Sequence, residues 1–194
     1  MKRSLRLARI AITAALYIAL SLAIMPLTYG LIQVRFAEAL VLLCFYNRDY
    51  CYSMVLGCIV VNAFSPLGII DVLFGTIGTV LTVIMIRYTR RIYLAWIPAV
   101  LCTFMVALEF YITASEPFWL SWSTIAAGEF IAVALVGVPV FMLLNKNNNF
   151  VEIVGADKRF CDIMASIEEK KALRKNKHNN IPDNTIDSDK NDII

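Results

Sequence analysis

The sequence predicts an all-α integral membrane protein: a bundle of six transmembrane helices with both termini in the cytoplasm. Three observations predict it. The 194-residue chain is 59% hydrophobic and only 17% charged, far more apolar than an ordinary soluble domain. Its apolar residues are gathered into runs, most of them long enough to cross a bilayer. Its arginines and lysines collect at one side of the membrane when those runs are threaded in order. The net charge of +3 matters less than that placement.

The first run, 7–25, follows Lys2, Arg3 and Arg6 and takes in Arg9. The basic-then-apolar order is that of a signal peptide, but no A-x-A cleavage site follows, so the run is read as a retained helix. Within it Ala11, Ala15, Ala19 and Ala23 recur every four residues. Such a small-residue stripe permits close helix–helix approach in lipid, to a neighbour in the same chain or in another. Runs 36–46 and 50–64 are short and are joined by Asn47-Arg48-Asp49. Two thin or tilted spans are favoured over a re-entrant hairpin, which would hold Arg48 and Asp49 near the bilayer centre. Runs 69–86, 92–114 and 118–144 have the roughly 18 to 25 residues, or slightly more, that a crossing needs. The ends marked by Arg48, by Arg87, Arg90 and Arg91, and by Lys146 join the basic N-terminus on one side; Arg35 stands alone on the other. The basic side is cytoplasmic. Residues 1–145 therefore form the membrane domain. Residues 146–194, rich in Asn, Lys and Asp, form a cytoplasmic tail with a helix over about 156–175 and a disordered end.

Several chemistries are missing. Cys44, Cys51, Cys58, Cys102 and Cys161 form no C-x-x-C pair, and His178 in the tail is the sole histidine. Neither a zinc site, a disulfide framework nor an intramembrane histidine relay is expected. There is no phosphate-binding G-x-x-x-x-G-K-[ST] loop, no G-x-S-x-G and no H-E-x-x-H. The chain is read as a non-enzyme without cofactor or metal and without a nucleic-acid partner. Any work it performs draws on a gradient or on partner subunits.

Polar residues inside spans are costly, about 2.5 to 3.5 kcal/mol each for a charge, and usually face an interior or a watery cavity. Here they agree in depth. Arg35 and Glu38 open the second run, Asn62 ends the third, Asp71 starts the fourth and Glu109 lies near the end of the fifth. Glu129 lies deeper, about 16 Å below Phe118 at ~1.5 Å per residue. All fall in the outer half of the membrane or near its middle, as a pocket opening outward requires. Each has a plainer reading. Arg35 and Glu38, at i,i+3, make a local ion pair or contact ligand. Asp71 complements a helix N-terminus or joins the site. Glu109 snorkels to the surface or turns inward, and Asn62 ties helices together or binds ligand. Trp119 belongs to an interfacial belt, whereas Trp122, one turn deeper, can stack on a flat ligand. Glu129 has no escape to water at its depth. Four carboxylates against one arginine favour a cation or a ligand rich in N–H donors. A glutamate accepts two parallel hydrogen bonds, which suits the amidine-like edge of a guanine-type base. Proton-coupled transport is a second reading of the same carboxylates.

Three segments together, "YGLIQVRFAEAL", "NAFSPLGIIDVLFGTIGT" and "GEFIAVALVGVP", resemble the QueT family of substrate-binding S components of energy-coupling factor (ECF) importers, assigned to salvage of queuosine precursors. The resemblance covers 7 to about 144. It implies capture of a 7-deazaguanine base or queuine from outside, docking on a transmembrane coupling subunit served by two ATPase subunits, and toppling in the plasma membrane to release the ligand inside. The family's alanine motif maps onto Ala11, Ala15 and Ala19 as the docking face, and its polar signature onto Arg35, Glu38, Asn62, Asp71 and Glu129. The turn "CFYNRDYCYS" lacks the prolines associated with the family, and the tail extends beyond its usual domain.

Overall fold

The computed structural model describes residues 3–24 and 35–179. Met25, the stretch 29–34 of the first motif and the expected disordered end beyond 179 lie outside the described residues. Every regular element among those described is helical: α1 (Arg3–Ala23), α2 (Phe36–Phe45), α3 (Asp49–Ala63), α4 (Ile69–Tyr88), α5 (Trp96–Cys102), α6 (Phe104–Ala114), α7 (Phe118–Glu129), α8 (Val138–Leu144), α9 (Asn148–Val154) and α10 (Lys158–Asn179). A short 3₁₀ turn, Ile92–Leu94, precedes α5, and a π-helical segment, Phe130–Gly137, links α7 to α8.

Four helical stretches are long and apolar enough to cross a membrane: Arg3–Ala23, Ile69–Tyr88, Ile92–Ala114 and Phe118–Leu144. Their outward faces stay apolar, with Ile69, Leu73, Leu120, Leu135 and Leu143 all exposed. A helical surface of that kind is matched to lipid rather than to water.

The two short runs take different forms. α3 is an ordinary helix, but α2 is 3₁₀ over its 10 residues, a long run for that geometry. At ~2.0 Å per residue it reaches about 20 Å, where an α-helix of the same length would reach about 15 Å. Its position explains the tolerance. Ala37, Val41, Leu42, Leu43, Cys44 and Phe45 are buried, and α2 packs against α1, α3, α4, α8 and the π segment. The 3₁₀ backbone is sheltered here by protein on its sides.

Around α2 the order is simple. α1 packs on α3, α3 on α4, α4 on α5 and α6, and α6 on α7. The α1–α3 approach is close because Gly57 lies under the Tyr17 ring; a Cβ there would sit 2.6 Å from Tyr17 Cδ1. α6 stops at Ser115, which takes left-handed φ of 54°, and Pro117 starts α7. Glu116 in that turn accepts from Ser121 Oγ at 2.8 Å.

The first compact unit runs Met1–Asp157 and includes α9. That helix is held by named contacts. Tyr50 OH donates to Val154 O at 3.1 Å, Asn47 Nδ2 to Gly155 O, and Asp157 N to Tyr46 O at 2.9 Å. Arg87 bonds Asp157 at 2.6 Å. On the same α2–α3 turn Asp49 pairs with Arg6 at 2.7 Å and Arg9 at 3.9 Å. The second unit, Lys158–Ile194, contains the 22-residue α10, in the place where the composition predicted a tail helix.

Candidate functional site

α4 carries one wall of the site. Gly75, Gly78, Thr79 and Thr82 follow an i, i+3, i+4, i+7 spacing, so one stripe of the helix holds small and hydroxylated residues instead of bulky apolar ones. Facing it, Ala99, Cys102, Thr103 and Val106 repeat the spacing across the α5–α6 junction. Between them lies a cavity of about 50 Å³ that Arg35 and Glu38 of the α2 entrance, Ile125 and Glu129 also line. Three helices mark its depth. Thr82 is eleven residues after Asp71, Glu129 eleven after Phe118 and Thr103 eleven before Ala114; each is about 16 Å from the same end of the bundle.

The hydroxyl groups of this wall are already committed as donors. Thr82 Oγ1 donates to Gly78 O at 2.9 Å and Thr103 Oγ1 to Val100 O at 2.7 Å. Thr79 Oγ1 is 3.1 Å from Cys58 Sγ. A hydroxyl whose hydrogen is used keeps its oxygen lone pairs. The wall thus offers acceptors, from threonine oxygens and from Glu38 and Glu129, against the donors of Arg35 alone. Its complement is a ligand rich in N–H groups.

Glu38 is set by α1. Tyr17, only 3% exposed, donates its hydroxyl to Glu38 Oε1 at 2.5 Å. The local Arg35–Glu38 ion pair allowed by the i,i+3 spacing is not among the salt bridges of the described residues. Arg35 instead lies within electrostatic reach of Glu38, Asp71 and Tyr17 together, and Glu129 within reach of Glu38 and Arg35. The π segment begins directly after Glu129. Widened helical turns of this type recur where a side chain must be re-aimed at a site.

A second group of polar residues lies beside the cavity without lining it. Asn62 is 2% exposed and bonds Asp71 O at 3.2 Å and Cys58 Sγ at 3.3 Å. Its amide ties α3 to α4. Gly75 makes room for it, since a Cβ at that position would collide with Asn62 Nδ2. Asp71 is buried in the first turn of α4. Glu109 is fully buried and does not snorkel. Its neighbours in electrostatic terms are Asp71, close enough to share a hydrogen bond if one of the pair is protonated, and Arg35; as two carboxylates they leave the Glu109 oxygens without a donor. Two ionised carboxylates cannot bond each other; a proton or a cation between them can satisfy both.

Trp122 stacks edge-on with Trp119 at 5.9 Å, away from the cavity lining, and its indole N–H is buried without a partner. Trp119 is 73% exposed, as a belt residue should be. Ala11, Ala15, Ala19 and Ala23 are all exposed, while Thr13, Ala14 and Tyr17 form the buried face of α1. The small-residue stripe therefore faces away from the bundle. Among the described residues no group of His, Cys, Asp and Glu is arranged to hold a metal ion.

Arg35, Glu38 and Glu129 are thus brought together, Asp71 and Glu109 flank them, and Asn62 and Trp122 stand apart. Tyr17 and the three threonines were missed by sequence reasoning. The threonines carry a signal, the polar stripe at helical spacing; a tyrosine within an apolar span carries none.

Comparison with known proteins places this bundle. No solved structure matches the chain. Over 141 residues, 64% of this chain and 83% of the relative, it is 30% identical to the queuosine precursor transporter QueT of Lactococcus lactis subsp. cremoris (strain MG1363). The model of the QueT transporter family matches residues 7–146, from the second turn of α1 through the end of α8, and the chain belongs to that family of membrane transporters.

Proposed function

We infer that the chain is the substrate-capture component of an ECF-type importer, taking a queuosine precursor from outside the cell. The observation that carries this is the acceptor-rich cavity between Arg35, Glu38 and Glu129 in a member of a transporter family. The curated relative is named for the same cargo. Glu129 accepts the amidine edge of the 7-deazaguanine base through two parallel bonds, Arg35 and Glu38 form the mouth, and Asp71 with Glu109 receives the cation of an aminomethyl-bearing precursor. At about 50 Å³ the cavity is well below the few hundred Å³ of a ligand pocket, so the walls part when a base is seated.

The six-span arrangement, with both termini in the cytoplasm of a bacterial-type plasma membrane, is part of this reading. It rests on the basic residues at the α2–α3 turn, at the end of α4 and at Lys146. The exposed alanines of α1 serve as the docking face for the transmembrane coupling subunit, which two ATPase subunits energise. Among the described residues, none from 146 onward lines the cavity.

A stand-alone proton-coupled carrier is the second reading, favoured by the unpartnered carboxylate of Glu109. Thermal unfolding of the detergent-purified chain with queuine, its deazaguanine precursors, guanine and riboflavin tests the cargo. Stabilisation by deazaguanines alone, about 2.7 kcal/mol at a hundredfold excess over Kd, is the expected result, and no shift with any of them discards the cargo. Uptake that requires the ATPase subunits supports the importer. Uptake by the isolated chain in vesicles, driven by a pH gradient, supports the carrier.

A further inference from the structure

A second cavity, unrelated to the first, opens on the lipid-facing side between α3 and α4 with a volume of about 610 Å³. Its walls are apolar: Val55 and Leu56 of α3, Val80 and Ile84 of α4. Leu56 and Ile84 are 51% and 47% exposed. Its one polar end is formed by Arg48 and Arg87 with the Tyr52 ring, and Arg6 stands 5.8 Å over that ring. α3 begins and α4 ends there, so the arginines sit at a bilayer surface and the walls run inward from it.

The dimensions limit what can fill it. From Arg48 to Leu56 is eight residues and from Arg87 to Val80 seven, a depth of about 10 to 12 Å at ~1.5 Å per residue. That is less than half of a hydrocarbon core of about 30 Å. A partner helix crossing the membrane would seek a groove through both leaflets. A lipid of one leaflet needs only this one.

The charge at the mouth selects the headgroup. Arg87 is held by Asp157 and by Cys44 O at 3.2 Å, and Arg6 by Asp49, with 47% of its side chain still exposed. Arg48 is exposed and has no salt bridge among the described residues. With Arg9, which also pairs with Asp49 at 3.9 Å, four guanidiniums stand against the two carboxylates of Asp49 and Asp157 and leave this end net positive. Basic pockets between transmembrane helices are a recognised setting for anionic lipid headgroups.

We propose that the α3–α4 groove is a binding site for one anionic phospholipid, its phosphate at Arg48 beside Arg87 and Arg6 and its acyl chain along Val55, Leu56, Val80 and Ile84. The site is independent of the cargo and of which side of the membrane the turn faces.

The test is native mass spectrometry of the full chain, purified into micelles doped with phosphatidylglycerol or phosphatidylcholine of the same acyl chains. One phosphatidylglycerol should be retained per chain in preference to phosphatidylcholine. Arg48→Gln should reduce that retention about fivefold, the worth of one basic residue at a lipid surface, and Val80→Phe should reduce retention of both lipids by filling the groove. Melting temperatures of the lipid-free variants check that both fold, since Arg48 is exposed and Val80 half-buried. Inorganic phosphate should not displace the lipid. Equal retention of the two lipids, displacement by phosphate alone, or retention unchanged in both folded variants would overturn the proposal.

Discussion

The two ends of the bundle use the same residue types to opposite effect. At the α2–α3 turn the carboxylates are paired and close: Asp49 with Arg6 at 2.7 Å, Asp157 with Arg87 at 2.6 Å, and the backbone carbonyls of Gly155 and Val154 taken up by Asn47 and Tyr50. At the cavity end, Glu38, Asp71, Glu109 and Glu129 surround the single Arg35, and both oxygens of Glu109 are unpartnered. A satisfied polar cluster fixes geometry, whereas an unsatisfied one at membrane depth is costly to keep. The difference separates a clamp at one end from the candidate site at the other. It can be broken from either side.

The largest effect belongs to Glu129. In Glu129→Gln one acceptor of a two-point contact becomes an N–H that faces the ligand's own donors. Loss of a hydrogen bond to a charged group, about 1.5 to 3 kcal/mol, together with that mismatch, should weaken deazaguanine binding about a hundredfold. Calorimetric titration in detergent measures it. The melting temperature of the unliganded chain should scarcely move, and a fall in stability equal to the fall in affinity would place Glu129 in the clamp class.

At the other end the order reverses. Asp49 is 4% exposed and serves two arginines, so Asp49→Asn should destabilise the chain by about 2 kcal/mol, discounted from a fully buried pair because Arg6 is half exposed. For a chain of this size that is a melting shift of about 4 to 8 °C. Cargo affinity should be unchanged. Glu109→Gln then sharpens the contrast within the cavity end. Replacing a buried carboxyl crowded by Asp71 with an amide should leave melting equal or higher, while binding of an aminomethyl-bearing deazaguanine falls about tenfold, on the order of 1.4 kcal/mol, and that of an uncharged analogue holds. Equal losses for both analogues would show that Glu109 receives no cation.

Hydropathy and basic-residue placement made the long helices legible, because span length and charge asymmetry are local properties. They were silent on α2 and on the π segment. Runs such as 36–46 are apolar on every face, so periodicity cannot tell one helical geometry from another, and packing against neighbours decides. The clamp was illegible for a different reason. Its partners are 43 residues apart for Arg6 and Asp49 and 108 apart for Asn47 and Gly155, and nothing local announces such pairs. Arg35, Glu38 and Glu129 stand out by cost, since a charge at that depth needs a purpose, and all three line one cavity. Asn62 satisfied the same criterion and bonds Asp71 O across two helices, so depth alone does not separate ligand contact from internal bonding.

The smallest effect tests how the site is held. Tyr17 joins α1 to the cavity through one hydroxyl on Glu38, and its ring rests on Gly57. Tyr17→Phe removes the bond and keeps the packing; it should weaken cargo binding about fivefold, near 1 kcal/mol, by loosening Glu38. Gly57→Ala keeps the hydroxyl but pushes the ring from a spot where 2.6 Å separates the new Cβ from Cδ1. It should lower both affinity and melting temperature, because the α1–α3 approach must widen. If Tyr17 positions Glu38, the double variant binds no worse than Gly57→Ala alone, since each change removes the same contact. Fully additive losses would mean that Tyr17 and Gly57 act independently, and that the outward-facing alanine helix is not coupled to the cavity through this bond.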